Sequence, residues 1–390
     1  MKRSLIITVG IVIIFGIIGL WGYLIIYGAP KETQEVFSNL GFISKPVQEV
    51  RVVDREAQGK IQDQLGLVGS NLQQITTRAV ASFSFVASSS DRLRYVERGT
   101  GHVFEINLST GKETQVSLTT IAQVTEATLS PLGTSVAFTL YEGYMKKVSI
   151  GSINPSNSSI TLKSLPLNAE NIAFKDEKNI YFSVEGAGNT NGYSFNIDTG
   201  KWLPLFTVPI TDSTSLWGKK YGSKITIETK PTAGLVGYAY SINNSTLTPL
   251  QQKGYGLTTL IGLQTSLVST IEDGKYLTYA IGTTTIKQPI IMLKEKCVFD
   301  TRVQNATWCA APLGDIESLY LEDWYKGAIT SNDYLWYTKL NSEQARLVGD
   351  LPKLAGKTID VINMTINTNG TILLFSNKID QTLWMYKIEK

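Results

Sequence analysis

The chain of 390 residues is poor in charge: Asp, Glu, Lys and Arg together make up 18%, below the roughly 25% usual in soluble domains. That scarcity excludes a disordered acidic or basic regulator, and the 43% of hydrophobic residues is ample for a large core or two ordinary ones. A basic excess is lacking too. The formal net charge is +3, two of it from Lys2 and Arg3, so from Lys31 onward 34 basic residues face 33 acidic ones. A nucleic-acid binder would carry a surplus of cations to neutralise phosphates, and none is expected here. There is one histidine, His102, and there are two cysteines, Cys297 and Cys309. This poverty removes most zinc sites, haem and iron–sulfur ligation, and every histidine-dependent triad not built on His102.

What the chain does have begins with an uncharged run, Ser4 to Tyr27. As a helix it would span about 36 Å, enough for a hydrocarbon core of roughly 30 Å with some tilt. The run exceeds the 7–15 apolar residues of a cleavable signal, and Trp21, Tyr23 and Tyr27 at its far end suit a membrane interface. A cleaved signal ending at Gly28-Ala29 is the competing reading. Lys2 and Arg3 put the amino end inside the cell by the positive-inside rule. The expected organisation is a cytoplasmic end at 1–3, a transmembrane helix at 4–27 (a signal anchor), a stalk or linker at 28–71, and an extracytoplasmic domain at 72–390. Polar residues interleaved with isolated apolar ones, and Gly59, Gly66 and Gly69, favour a spacer over a coiled coil in the third segment.

The domain repeats itself. Val103–Val116 (VFEINLSTGKETQV) and Tyr193–Leu205 (YSFNIDTGKWLPL) share an alternating strand, a turn ending in Thr-Gly-Lys, and a second strand. Alternation marks strands with one buried face, and glycine in the turn allows the positive φ of a tight hairpin. Gly111 and Gly200 lie 89 residues apart, two periods of about 45, and Tyr238–Leu250 supplies a copy one period on. A second hairpin family alternates with the first: Leu129–Thr139, Ile172–Val184, Val268–Ile281, Ala328–Thr338 and Met364–Asn377. Two hairpins per period make a four-stranded unit, and such units every 40–50 residues signify propeller blades. The fold class expected is therefore all-β, a seven-bladed β-propeller, with blades near 79–118, 120–166, 168–207, 210–251, 254–312, 314–350 and 354–390. Paired β-sandwiches would not keep a fixed period between turns, and solenoid coils are usually shorter. Leu72–Thr76 reads as an outer strand without a blade before it and is expected to complete the last blade, beside Leu383–Ile388.

The hairpin Leu129–Phe138 (LSPLGTSVAF) resembles the SPDG-x-x-IAF hairpin of WD40-like propellers of the TolB type, with Leu132 in place of the usual aspartate. Arg94–Ile106 and Lys296–Pro312 resemble uncharacterised, membrane-anchored WD40-like propeller proteins of small-genome candidate-phylum bacteria. The resemblance spans roughly 72–390 as a blade pattern and is sharp only in those two stretches. It implies an extracytoplasmic propeller and carries over no catalytic residue.

Sites are few. His102 lies in a turn, Gly99-Thr-Gly-His-Val, near Glu97 and Glu105, and reads as a turn histidine. Arg98-Gly-Thr-Gly lacks the helix a phosphate loop needs, and no Gly-x-Ser-x-Gly elbow with a following catalytic domain is present. Calcium through Asp273, Asp300 and Asp315 is a weak alternative to no metal. The Asn-x-Ser/Thr sites at Asn107, Asn157, Asn243, Asn244, Asn305, Asn363 and Asn369 are matches expected by chance in an Asn/Ser/Thr-rich chain. Trp202, Trp217, Trp308, Trp324, Trp336 and Trp384 are expected mostly in strands, packing between blades. Cys297 and Cys309 flank a hairpin loop, Asp300–Asn305, and are expected to form a disulfide pinning an insertion in the fifth blade. Closing a loop of about 13 residues is worth roughly 3 kcal/mol in the chain-entropy model. Two buried thiols are the alternative. No catalytic residue and no cofactor is assigned. The expected role is a non-enzymatic binding or scaffolding module for a protein partner or cell-envelope polymer. The alternatives are a glycan hydrolase or lyase with channel carboxylates and a subunit of an envelope-spanning assembly.

Overall fold

The computed structural model describes residues 71–389 apart from 87, 88, 144, 155, 167, 218–224, 244 and 315–319. The expected segments 1–3, 4–27 and nearly all of 28–71 lie outside the described residues. Among those described, no helix is long and apolar enough to cross a membrane.

The chain opens on β1 (Leu72–Gln74), followed by a four-stranded antiparallel sheet of β2 (Val80–Phe85), β3 (Arg92–Glu97), β4 (Val103–Asn107) and β5 (Glu113–Ser117). The next sheet has β6 (Val124–Leu129), β7 (Ser135–Glu142) and β8 (Met145–Asn154), flanked by the short β9 (Ser159–Ile160) and β10 (Lys163–Ser164). A third contains β11 (Ala169–Phe174), β12 (Asn179–Glu185), β13 (Thr190–Asn196) and β14 (Trp202–Val208). Seven strands follow in one sheet: β15 (Ser213–Trp217), β16 (Ile225–Thr229), β17 (Val236–Asn243), β18 (Thr246–Leu260), β19 (Ser266–Glu272), β20 (Lys275–Ile281) and β21 (Thr285–Lys287). The fifteen residues of β18 serve two neighbours at different levels. Its residues up to Tyr255 pair with β17, and those from Tyr255 onward pair with β19. A 3-10 turn at Lys294–Lys296 then leads into β22 (Cys297–Phe299), β23 (Ala306–Ala311), β24 (Tyr334–Lys339) and β25 (Ala345–Asp350), with α1 (Tyr320–Lys326) between β23 and β24. After α2 (Leu351–Ala355) come β26 (Val361–Ile366), β27 (Ile372–Asn377) and β28 (Leu383–Lys387).

The last sheet is ordered β1-β28-β27-β26, with Leu72 opposite Tyr386 and Gln74 opposite Trp384. The expected closure is therefore present: the first strand hydrogen-bonds to the last one in the chain. Apolar clusters join neighbouring sheets around a ring. Tyr95 and Phe104 meet Leu374 and Met385, Val96 and Val103 meet Val136 and Phe138, and Ile150 meets Phe182. The sequence continues with Phe206 against Ile227, Leu267 against Cys297, and Trp308 against Phe375. Sheets with one buried and one exposed face would leave half their apolar residues in water. Here the apolar clusters lie between successive sheets, so most sheets pack against a neighbour on each side, the solution a propeller offers. The architecture is an all-β, multi-bladed propeller arrangement of antiparallel, mainly four-stranded sheets.

The first strands of several blades are bulged at the same level. The register slips between Val80 and Ser82, Val124 and Glu126, Glu170 and Ala173, Tyr255 and Thr258, and Ile362 and Thr365. A bulge bends and twists a strand, which these strands need because they converge on the axis. At three of these sites the extra residue is left-handed: Asn171 (φ 52°), Gly256 (φ 60°) and Asn363 (φ 56°). Asparagine tolerates that conformation better than other side chains. At Gly256 no side chain fits, since a Cβ would stand 2.2 Å from the Tyr276 hydroxyl.

Two expectations need correction. Ala328–Thr338 is no hairpin: residues 328–333 are irregular, Trp324 sits in helix α1, and Tyr334–Lys339 pairs with β23 and β25. The expected boundary between a fifth blade at 254–312 and a sixth at 314–350 is also displaced. The seven-stranded sheet ends at Lys287, and the cysteine hairpin β22–β23 opens the next sheet, which runs to Asp350. Helix α1 and the irregular stretch after it supply no strands, so the hairpin β22–β23 completes the sheet with β24 and β25.

Candidate functional site

Cys297 and Cys309 are directly opposed across β22 and β23 and joined as a disulfide, with Cα atoms 4.1 Å apart. Both are buried against Leu267, Ala280 and Met292. The bridge thus sits in the wall between two blades and pins an innermost strand rather than an insertion. Asp300 closes the same hairpin by accepting from the amides of Arg302 (2.7 Å) and Val303 (3.1 Å) and from the Trp308 indole (2.8 Å). Those donors occupy its carboxylate, and Asp273 lies apart in the turn between β19 and β20. Asp315 lies outside the described residues. No group of three or more His, Cys, Asp or Glu suited to a metal occurs among the described residues.

His102 is set in the β3–β4 turn, half-buried. Its Nε2 is 2.9 Å from the Thr120 hydroxyl, and its Nδ1 stands 3.7 Å from Glu97. Glu97 is already engaged by the Thr100 hydroxyl (2.5 Å) and faces Arg78 at 3.5 Å. Histidine and carboxylate are too far apart for a hydrogen bond, consistent with a histidine that staples the turn to the loop before β6.

The axis holds a channel of about 860 Å³, lined by β2, β6, β11, β15, the end of β18, β22 and β26. Its wall is mostly apolar, with charged residues at Lys175, just after β11, and at Lys294 and Glu295 before β22. The ammonium of Lys294 pairs with Glu228, which is fully buried on β16. The other Glu228 oxygen accepts from the Thr259 amide (2.9 Å) and hydroxyl (2.5 Å). Burial works against the charge on Lys294, but the Glu228 carboxylate outweighs it and holds the ammonium above its ordinary range. Glu228 therefore has no capacity left for a ligand. Glu295 differs: Oε1 accepts from the Tyr325 hydroxyl (2.5 Å), while the buried Oε2 has no hydrogen-bond partner. Sequence reasoning missed this sector because Glu228 and Lys294 are 66 residues apart and no motif joins them.

A second surface lies on β17 and β18. Val236 is directly opposite Tyr255, and Tyr238 and Tyr240 follow Val236 on the same face, their rings 6.4 Å apart. Tyr255 is 46% and the adjoining Leu235 70% exposed. Val236 and Tyr238 are exposed on this face, and beside them β16 ends at Thr229, whose hydroxyl accepts from the Tyr238 amide at 3.0 Å. The loop carrying Leu235 is held from another blade. Glu322 of α1 accepts from the Thr232 hydroxyl (2.6 Å) and the Ala233 amide (2.5 Å), and these bonds keep its carboxyl below the ordinary range. The aromatic face is thus fixed before any partner arrives. Alternating tyrosines in the segment Tyr238–Leu250 were visible in the sequence, but which strand would cover them was not.

No protein-family model and no curated protein matches this sequence. Among solved structures, an oligogalacturonate lyase in complex with manganese is similar at a TM-score of 0.56 and 8% identity, over 82% of this chain and 93% of the lyase. The Cps50 (Swd1) β-propeller domain of Myceliophteria thermophila gives 0.54 and 8%, over 81% and 98%. The acylaminoacyl peptidase of Pyrococcus horikoshii gives 0.51 and 9%, over 80% of this chain and 51% of the peptidase. At these identities the likeness concerns the fold, that of a multi-bladed β-propeller.

Proposed function

We propose that the chain is a seven-bladed, membrane-anchored extracytoplasmic propeller that binds a protein partner or cell-envelope polymer, related to the WD40-like propellers its hairpins resemble. The seventh blade is obtained by dividing the seven-stranded sheet at β18, where the pairing changes from β17 to β19. The observation that carries the binding role is the exposed, pre-set face of Leu235, Val236, Tyr238 and Tyr255. Tyrosines give large contact area at low entropic cost and a hydroxyl for orientation, and contiguous exposed apolar surface marks an interaction site. The double substitution Tyr238→Ser/Tyr255→Ser should reduce capture of envelope components by the purified chain at least about tenfold, a loss of some 1.4 kcal/mol or more. Its melting temperature should stay close to that of the parent. Unchanged capture would exclude this face.

The location rests on Lys2, Arg3 and the uncharged run Ser4–Tyr27, and is supported by a disulfide, which persists in oxidising compartments. Protease added outside cells with a permeabilised outer layer should digest the propeller. Full protection, while a known external protein is cut, would refute it.

A second reading, hydrolase or lyase chemistry in the channel, is favoured by the unpartnered Oε2 of Glu295. Against it stands Glu228, the carboxylate behind Lys294, which is fully buried and engaged by Lys294 and Thr259.

A further inference from the structure

Behind the channel wall lies a buried cluster that neither the disulfide nor the aromatic face uses. Lys296, the last residue of the 3-10 turn, is 1% exposed in its side chain, and Asp333 and Asp360 are 0% exposed. The Lys296 ammonium donates to Asp333 Oδ2 (2.5 Å), Asp360 Oδ1 (2.7 Å) and the Ser331 hydroxyl (2.6 Å). The two aspartates are held in place separately. Asp333 accepts from the Val361 amide (2.8 Å) and the Ser331 hydroxyl (2.7 Å). Asp360 accepts from the Trp324 indole (2.9 Å) and from the Ser331 amide (3.1 Å). The Trp324 ring lies 4.7 Å from the Lys296 nitrogen and closes the site; its other cationic neighbour is Lys378, at 4.2 Å from the ring.

A lysine and two aspartates in a dry site, with every atom positioned by a third party, is more than a stabilising ion pair requires. Buried ions are costly, and such pairs are often no better than apolar replacements. We propose that Lys296 and Asp333 condense to an intramolecular amide, with Asp360 as the proton shuttle. The ammonium passes one proton to Asp333, giving an amine and a carboxylic acid. The nitrogen lone pair of Lys296 then forms a bond to Cγ of Asp333. Asp360 takes the second nitrogen proton and delivers it to the departing hydroxyl. One water leaves, the Nζ–Cγ amide remains, and Asp360 returns to its carboxylate form. No oxidant or cofactor is consumed.

Three features favour the reaction. The nitrogen stands 2.5 Å from Asp333 Oδ2, so the two reacting groups are already in contact and the entropic part of a bimolecular barrier is removed. Burial pushes the Asp333 carboxyl above its ordinary range, toward the acid form whose hydroxyl can depart. Against burial, the two aspartates hold the Lys296 ammonium above its own range, so Asp360 must take the nitrogen proton for the bond to form. The product replaces two buried ions with a neutral amide, and so removes a desolvation cost. The bond would tie the strand pair β22–β23 to the entry of β24, across the segment that carries α1.

The test is a tryptic digest of the purified full-length chain after reduction and alkylation, read by mass spectrometry. The expected product is peptide 295–302, uncut after Lys296, joined to peptide 327–339 and lighter than the two together by one water. Only free peptides 297–302 and 327–339 would overturn the proposal. A junction to peptide 358–378 would instead overturn the choice of Asp333 as acceptor. Lys296→Arg should abolish the joined peptide. Asp360→Ala should lower its fraction by about tenfold or more, the scale of general acid–base assistance. An unchanged fraction would overturn the role given to Asp360.

Discussion

Removing residues 1–77 should unfold the ring or leave it aggregating, although β1, the strand in the deleted stretch among the described residues, pairs over just three residues. Leu72 is fully buried among Trp384, Tyr386, Leu351 and Leu335, and the segment gives further main-chain bonds: Leu383 O accepts from the amides of Ile75 (2.8 Å) and Thr76 (3.3 Å). The Thr76 hydroxyl in turn receives the Leu383 amide at 3.0 Å. Without β1, the outer edge of β28 has no partner and presents unpaired main-chain groups to other molecules. The milder substitution Leu72→Ala keeps the strand and opens a cavity, at a cost of about 2–5 kcal/mol. Thermal unfolding of the two variants separates the contributions, since the point variant should melt lower but reversibly and the truncation should aggregate. A truncated chain with the parent melting temperature would show that closure does not depend on this strand.

A loss of comparable size is expected from Lys296→Met. Two fully buried carboxylates then face each other without their cation, and breaking a buried pair by removing one partner costs about 3–5 kcal/mol. The figure counts the ion pairs alone. The pH dependence gives the experiment its sign. Burial raises the folded-state pKa of Asp333, and loss of the ammonium raises it further. A carboxyl with a raised folded-state pKa favours folding most below its unfolded-state pKa, and that contribution is lost as pH climbs through the folded-state value. The deficit of the variant should therefore shrink as the pH is lowered from 7 toward 4. Chemical denaturation at several pH values reads this directly, and a deficit independent of pH would mean that the carboxylates are not what is left uncompensated.

The multi-bladed plan was legible because hairpins announce themselves locally. The turn Asn107–Gly111 is written in its residues: Asn107 Oδ1 accepts from the amides of Ser109 (3.0 Å) and Thr110 (2.9 Å), and Gly111 takes φ 69°. Asn196, Thr199 and Gly200 repeat it. The cysteine pairing was legible for the same reason, since a six-residue loop between two apolar stretches puts them in register. The closure of the ring was legible by elimination, from one strand too many at the start.

Other features were decided by tertiary packing. The Ala328–Thr338 stretch looks like a hairpin because Ala328, Ile329 and the run Tyr334–Thr338 alternate around Ser-Asn-Asp. In the folded chain, Asp333 and Ser331 are instead drawn inward by Lys296, a contact 37 residues away. The Lys294–Glu228 pair and the Glu322 clamp on Thr232 span 66 and 90 residues. No local pattern encodes a partner at that distance, because each charged residue is ordinary in its own segment and becomes specific only when blades close around an axis. The aromatic face on β17 is decided in the same way: alternation places Tyr238 on one side of its strand, but only the packing of the folded ring decides whether anything covers that side. Composition and period determined most of the strands and hairpin turns, but not the helix and irregular stretch at 320–333. The axis determined which side chains meet, since convergence of the inner strands is what buries charge beside charge and leaves one outer face open to water.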